Sequence, residues 1–157
     1  MSKDHFRRGR AALNGKSYAL AHGAFDMACK EAPDNVELEA WRAYARYLDT
    51  AHGAPSAAAN DPWIAGVTKK NCKLAVSKAV ATNKSFAAGH MFLGHIALEE
   101  GLASEAIKHL ERAITLDPDL SQAKTLLSNA QSRRPKSSRR PKTFGEKVGG
   151  WLSGLRN

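Results

Sequence analysis

The groups in this 157-residue chain with reactive or ligating chemistry are six histidines, two cysteines and a dense run of arginines and lysines near the C-terminus. His95 and Glu99, and again Glu105 and His109, stand four residues apart, the spacing at which two side chains on one helix reach a common ion. His90 and His95 are five apart and point to different faces. Each pair lacks the remaining ligands of a site, so no metal is expected. His90 reads as a core residue, and the other histidines as surface or groove residues. Asn14-Gly15-Lys16-Ser17 ends as a phosphate-binding loop ends, but a working loop needs a glycine five residues before Gly15 and a strand in front of it. Position 10 is Arg10 and the preceding segment reads as helix, so the tetrapeptide is a turn between helices. No Ser/His/Asp grouping or carboxylate pair marks a catalytic centre, and no cofactor is implied.

The basic run has its own chemistry. Residues 133–142 read RRPKSSRRPK, in which Arg133, Arg134, Lys136, Arg139, Arg140 and Lys142 surround two prolines. Such a stretch does not fold alone and attracts phosphate, on anionic lipid or on nucleic acid. Thr143-Phe144-Gly145-Glu146 then has the form of a capping box. Phe144, Val148, Trp151, Leu152 and Leu155 follow as one apolar stripe at helical spacing. Four glycines each cost roughly 1 kcal/mol of helix against alanine, so this helix forms on a surface that compensates for them. An anionic membrane, a groove on a partner or this chain's own repeats are the candidate surfaces.

The elements that position these groups are helical. Hydrophobic residues make up 43% of the chain and come in short alanine-rich clusters separated by charge, which fits close helix packing in one folded unit with tails. No apolar run reaches the length of a membrane span. The start, MSKDHFRRGR, lacks the apolar core of a secretory signal, which points to the cytoplasm and to Cys29 and Cys72 as buried reduced thiols. The net charge of +9 is not spread evenly. Residues 133–157 hold eight basic groups against Glu146 alone, whereas the first 132 residues are nearly balanced.

Two segments repeat one spacing. Gly9, Ala21, Ala28 and Pro33 are separated by 12, 7 and 5 residues, and Gly94, Ala106, Ala113 and Pro118 by the same three numbers. Two antiparallel helices approach closely only where glycine or alanine removes the side chain at the crossing. Phe25 or Leu110 fills the space one turn later, and the proline stops the second helix. A middle copy is interrupted. Trp41, Tyr44, Ala45 and Leu48 form a stripe on a helix over about 36–49, and Asn60-Asp61-Pro62 opens another over about 62–82. Aligning Cys72, Val76, Ala79 and Lys84 with Ala106, Leu110, Ala113 and Pro118 leaves an insertion of 17 residues, expected as a loop near 50–61. After Pro118, Ala123, Leu126, Leu127 and Ala130 mark a single helix that covers the last hairpin.

These residues resemble the tetratricopeptide repeat, whose 34-residue signature is W-x2-L-G-x2-Y, then A-x3-F, then A and P. His5 and His90 stand where Trp is usual, and Ala12 and Ala97 where Tyr is usual. The order of repeats, cap and basic amphipathic end is also similar to short repeat modules of myxobacterial signalling and J-domain proteins. The resemblance implies an all-α, right-handed superhelix of three antiparallel hairpins, at about 2–35, 36–85 and 86–119. A capping helix over 120–132, a basic linker over 133–143 and the amphipathic segment 144–157 follow. It further implies a non-enzymatic adaptor that binds another protein in a concave groove lined by the first helix of each repeat. Carried onto this chain, the groove positions are Phe6, Arg10 and Leu13 from the first repeat and Met91, His95 and Leu98 from the third. With Trp41 placed at the usual Trp position, the middle helix contributes Glu39, Arg42, Arg46 and Asp49. Arginines over an apolar floor suit a peptide with a carboxylate beside apolar anchors. The family's carboxylate-clamp lysine and asparagine set is not evident. A nucleic-acid-associated protein acting through the tail, or a secretion-type chaperone, are the alternatives.

Overall fold

The computed structural model describes residues 2–53 and 62–133, and of Ser2 and Trp63 the backbone alone. Seven helices follow in order: α1 (Ser2–Asn14), α2 (Tyr18–Glu31), α3 (Val36–His52), α4 (Pro62–Thr82), α5 (Ala87–Glu99), α6 (Ala103–Leu116) and α7 (Ser121–Arg133). The first six pair as three hairpins, each packed on the next, and α7 lies over α6. Among the described residues there is no strand, and no helix is long and apolar enough to cross a membrane.

The outer hairpins share their local chemistry. Between α1 and α2 the amides of Gly15, Lys16 and Ser17 donate to the carbonyls of Ala11, Leu13 and Ala12, at 3.0, 3.0 and 2.9 Å. Between α5 and α6 the amides of Glu100, Gly101 and Leu102 make the same three bonds to Ile96, Leu98 and Ala97. Gly101 takes a φ of 78° and Lys16 a φ of 57° at the equivalent place, the left-handed conformation that closes a helix. The Gly-Lys-Ser sequence is therefore a hairpin turn whose amides are spent on carbonyls, with none left to cradle a phosphate.

The glycine crossings are close. A Cβ on Gly94 would sit 2.5 Å from Leu110 Cγ and 3.3 Å from the Ala106 carbonyl oxygen, and one on Gly9 would sit 2.6 Å from the ring of Phe25. Ala21, Phe25, Ala106 and Leu110 are all fully buried. The large residue one turn after the crossing thus takes the volume that the missing side chain vacates.

The middle hairpin corrects one expectation. Among the described residues its insertion is helical through His52, so the expected loop does not begin at 50. Measured from the crossing residues Ala43 and Cys72, α3 runs four residues further at its C-terminal end than α1 or α5. By the same measure α4 begins seven residues earlier than α2 or α6. Eleven of the 17 extra residues therefore lengthen the hairpin, and Thr50, Ala51 and His52 are helical. The physical reason lies in α4, where Pro62 suits the first helical position and no proline interrupts the run from there to Thr82, Gly66 being tolerated within it. Residues 54–61, the centre of the expected loop, lie outside the described residues.

An aromatic chain ties the hairpins together. Phe6 of α1 packs against Phe25 of α2 and edge-on against Trp41 of α3, which meets Phe92 of α5 edge-on at 4.7 Å. Phe92 in turn stacks on Tyr44 at 4.0 Å between ring centroids, with 15° between the planes. Each such pair adds about 0.5–1.5 kcal/mol beyond burial. At the far end Ala123, Leu126 and Ala130 of α7 are buried, with Leu127 packed beside the core. The N-terminus of α3 is held by Asn35, whose side-chain oxygen accepts from the amides of Glu37 and Leu38, both at 3.1 Å.

Candidate functional site

The first helix of each hairpin contributes to one concavity of about 410 Å³. Arg10, Leu13 and Asn14 enter it from α1, Lys16 and Tyr18 from the turn and the start of α2, and Trp41, Tyr44 and Leu48 from α3. Met91 and His95 come from α5, and Leu120, Ser121, Gln122 and Thr125 from the cap. Its cations are Arg10 and Lys16, and no carboxylate lines it.

Arg10 is held at the mouth by aromatic faces. Its guanidinium carbon lies 6.0 Å from the Phe6 ring centroid and 5.7 Å from that of Trp41. The fork is thereby oriented while its donors stay free, since no ion pair of Arg10 occurs among the described residues.

Tyr44 and His95 form the polar centre of the floor. Tyr44 is almost fully buried, and its hydroxyl lies 2.7 Å from His95 Nδ1. Burial pushes the Tyr44 phenol upward, so it stays protonated. Burial likewise pushes His95 below the ordinary imidazole value, so a neutral ring shares this hydrogen bond with the protonated phenol at Nδ1. His95 Nε2 then faces Glu99 at 3.9 Å, and Glu99 faces His52 at 3.4 Å. The floor is built to hold shape and to offer apolar walls with one satisfied polar pair.

The groove residues expected from sequence divide. Arg10, Leu13, Met91 and His95 meet in the concavity. Phe6 lies at its edge, against Trp41 and in a smaller hollow with Lys3 and Asn35. Leu98 is buried in the core. Glu39, Arg42 and Arg46 are placed elsewhere, on the outer side of α3 between α2 and α4, and Asp49 lies beside the first turn with Lys16 and His52. The cause is register. The middle repeat keeps the 34-residue step without the two-residue shift that Trp41 invited, so Phe6, Arg10 and Leu13 correspond to Ala40, Tyr44 and Tyr47. A further 51 residues lead to Met91, His95 and Leu98. Tyr44 is thus the missed floor residue, and the unshifted count is the signal that would have found it.

His90 is half-buried at the opposite edge of α5. Its Nδ1 lies 3.4 Å from His109 Nδ1, and its Nε2 lies 3.3 Å from the Lys84 carbonyl oxygen. It is a surface pair member in place of the expected core residue. Among the described residues no three His, Cys, Asp or Glu side chains group as a metal site. Of the expected tail residues, Arg133 ends α7 and is exposed. Arg134, Lys136, Arg139, Arg140, Lys142, Phe144, Val148, Trp151, Leu152 and Leu155 lie outside the described residues.

No family model and no curated protein matches the sequence. Among solved structures, the TPR domain of Arabidopsis OM64 is similar, with a TM-score of 0.55 and 19% sequence identity. The match covers 83% of this chain and 94% of that one. The chain has the fold of a tetratricopeptide-repeat domain.

Proposed function

We propose that this chain is a non-enzymatic binding module that holds an extended segment of another protein in the concavity between α1, α3, α5 and α7. The observation that carries the reading is the lining. Arg10, pre-oriented on Phe6 and Trp41, and Lys16 face the opening, while Leu13, Leu48 and Met91 wall it without an opposing carboxylate. Such a surface favours an acidic side chain or chain-terminal carboxylate beside an apolar anchor. From sequence alone, the basic run and apolar stripe of the tail dock on a second surface, of which an anionic membrane is the first to test.

Selection from a library of seven-residue peptides with free C-termini, displayed against the full chain, tests the groove. Selected peptides should combine an acidic group with an aromatic or branched aliphatic residue, and Arg10→Glu should abolish their capture. Peptides without acidic character, or capture indifferent to Arg10→Glu, would remove the groove reading. For the tail, vesicles containing phosphatidylserine should bind the full chain and not Trp151→Ser/Leu155→Ser. Retention of duplex DNA by both forms would instead favour the nucleic-acid alternative.

A further inference from the structure

On the side of α3 opposite the groove, α2 and α4 flank a second cavity of about 380 Å³. Ala43, Cys72 and Ala75 contribute small side chains, and Arg42, Arg46 and Asn71 contribute donors. The charges in and beside this space form an incomplete alternation, with Lys30 outside the lining. Lys30 Nζ lies 3.0 Å from Asp26 Oδ2, and Arg42 Nη1 lies 3.2 Å from Asp26 Oδ1. Arg46, one turn beyond Arg42, has no ion pair or side-chain hydrogen bond among the described residues. Two like charges at this spacing on one helix repel. Glu39 also lines the space, at the Arg42 end, so Arg42 and Arg46 meet two carboxylates in the lining, Asp26 and Glu39, and Arg46 is the cation left without a partner among the described residues.

We propose that this outer cavity is an oxyanion site, in which a carboxylate or phosphate group bridges Arg42 and Arg46 and receives a hydrogen bond from the Asn71 amide. The bound group supplies the negative charge that the sequence Lys30, Asp26, Arg42, Arg46 lacks before its last member. Two guanidinium forks around one oxyanion give paired, charge-assisted hydrogen bonds, the strongest kind available to an exposed site. His22 supports the placement. Burial lowers its pKa first and Arg46 lowers it next, against the opposing carboxylates Asp26 and Asp49, so the imidazole is biased to its neutral form. The site is on the other face of α3 from the groove and stands or falls independently of it.

The test uses the full chain with nitrogen-15 label. Sodium phosphate is titrated against sodium chloride at matched ionic strength, and amide-capped tetraglutamate is titrated in a second arm. Resonances of the Asn71 side-chain amide and the Arg42 and Arg46 guanidinium groups should shift saturably with phosphate. Arg46→Gln should weaken that response by roughly tenfold or more, and Glu39→Gln should strengthen it. A matching response to tetraglutamate assigns the site to acidic side chains, and a response to phosphate alone assigns it to phosphate or its esters. Shifts confined to residues 133–142, or an unchanged response in Arg46→Gln with a native circular dichroism spectrum, would overturn the proposal.

Discussion

The two faces of α3 differ in kind although they lie on one helix. Toward the groove, Tyr44 is buried, stacked on Phe92 and bonded to His95, with Trp41 wedged between Phe6 and Phe92. Toward α2 and α4, Glu39, Arg42 and Arg46 meet solvent across a cavity floored by small side chains. The first face derives its shape from packing that cannot relax without loss. The second presents charge that rearranges at little cost. A repeat helix squeezed between two neighbours can therefore keep one rigid surface and one adjustable one.

The sharpest way to break that contrast is to remove the rigid side. Tyr44→Ala deletes the ring stacked on Phe92 and leaves His95 without its phenol partner. A loss of about 3–5 kcal/mol in urea unfolding is expected for truncation of a buried aromatic ring. A loss below 1 kcal/mol would mean that the face is not built on this residue.

The helix crossings give a graded comparison. Ala106→Leu has no vacant volume to enter, because Leu110 and Gly94 already meet there, and should cost on the order of 1–3 kcal/mol. Ala43→Leu, at the equivalent crossing of the middle hairpin, opens toward the outer cavity and should cost less. Equal thermal destabilisation of the two variants would contradict the difference in room.

Acid acts on both faces. His22 and His95 both titrate below the ordinary value of 6.5 in the folded chain, in each case mainly because burial disfavours the charged ring. Near and below that value the unfolded chain binds more protons than the folded one, so stability falls as pH drops through 6.5 toward the lower folded values. Denaturation midpoints at pH 7.5 and 5.5 measure the loss, and His95→Gln should shrink it. The smallest effect belongs to the outer face. Arg42→Ala removes a partly exposed pair with Asp26, and about 0.2–1 kcal/mol is expected, falling further in high salt.

Much of the fold was legible because the 12, 7 and 5 spacing reports helix crossings, which depend on local side-chain volume. The turns, the stop at Pro33 and the apolar side of the cap followed from the same local chemistry. The groove was less legible at the middle hairpin. Trp41 looks like the family's tryptophan, yet it occupies a position two residues further along and packs between two repeats. Choosing the conspicuous residue over the plain period turned Arg42 and Arg46 to the wrong side. Contacts such as Tyr44 with His95, 51 residues apart, have no signature in either segment alone.

The lengthened middle hairpin has a consequence for approach. Four extra residues in α3 and seven in α4 extend at the same tip, so this hairpin overhangs its neighbours' turns by about 6 Å on one side and 10 Å on the other. The tip of the middle hairpin therefore stands proud of the turns at Gly15 and Gly101 in the hairpins on either side. If a protein segment binds as proposed, a folded domain approaching over the tips would meet this projection before it met the floor, whereas a flexible strand would pass beside it.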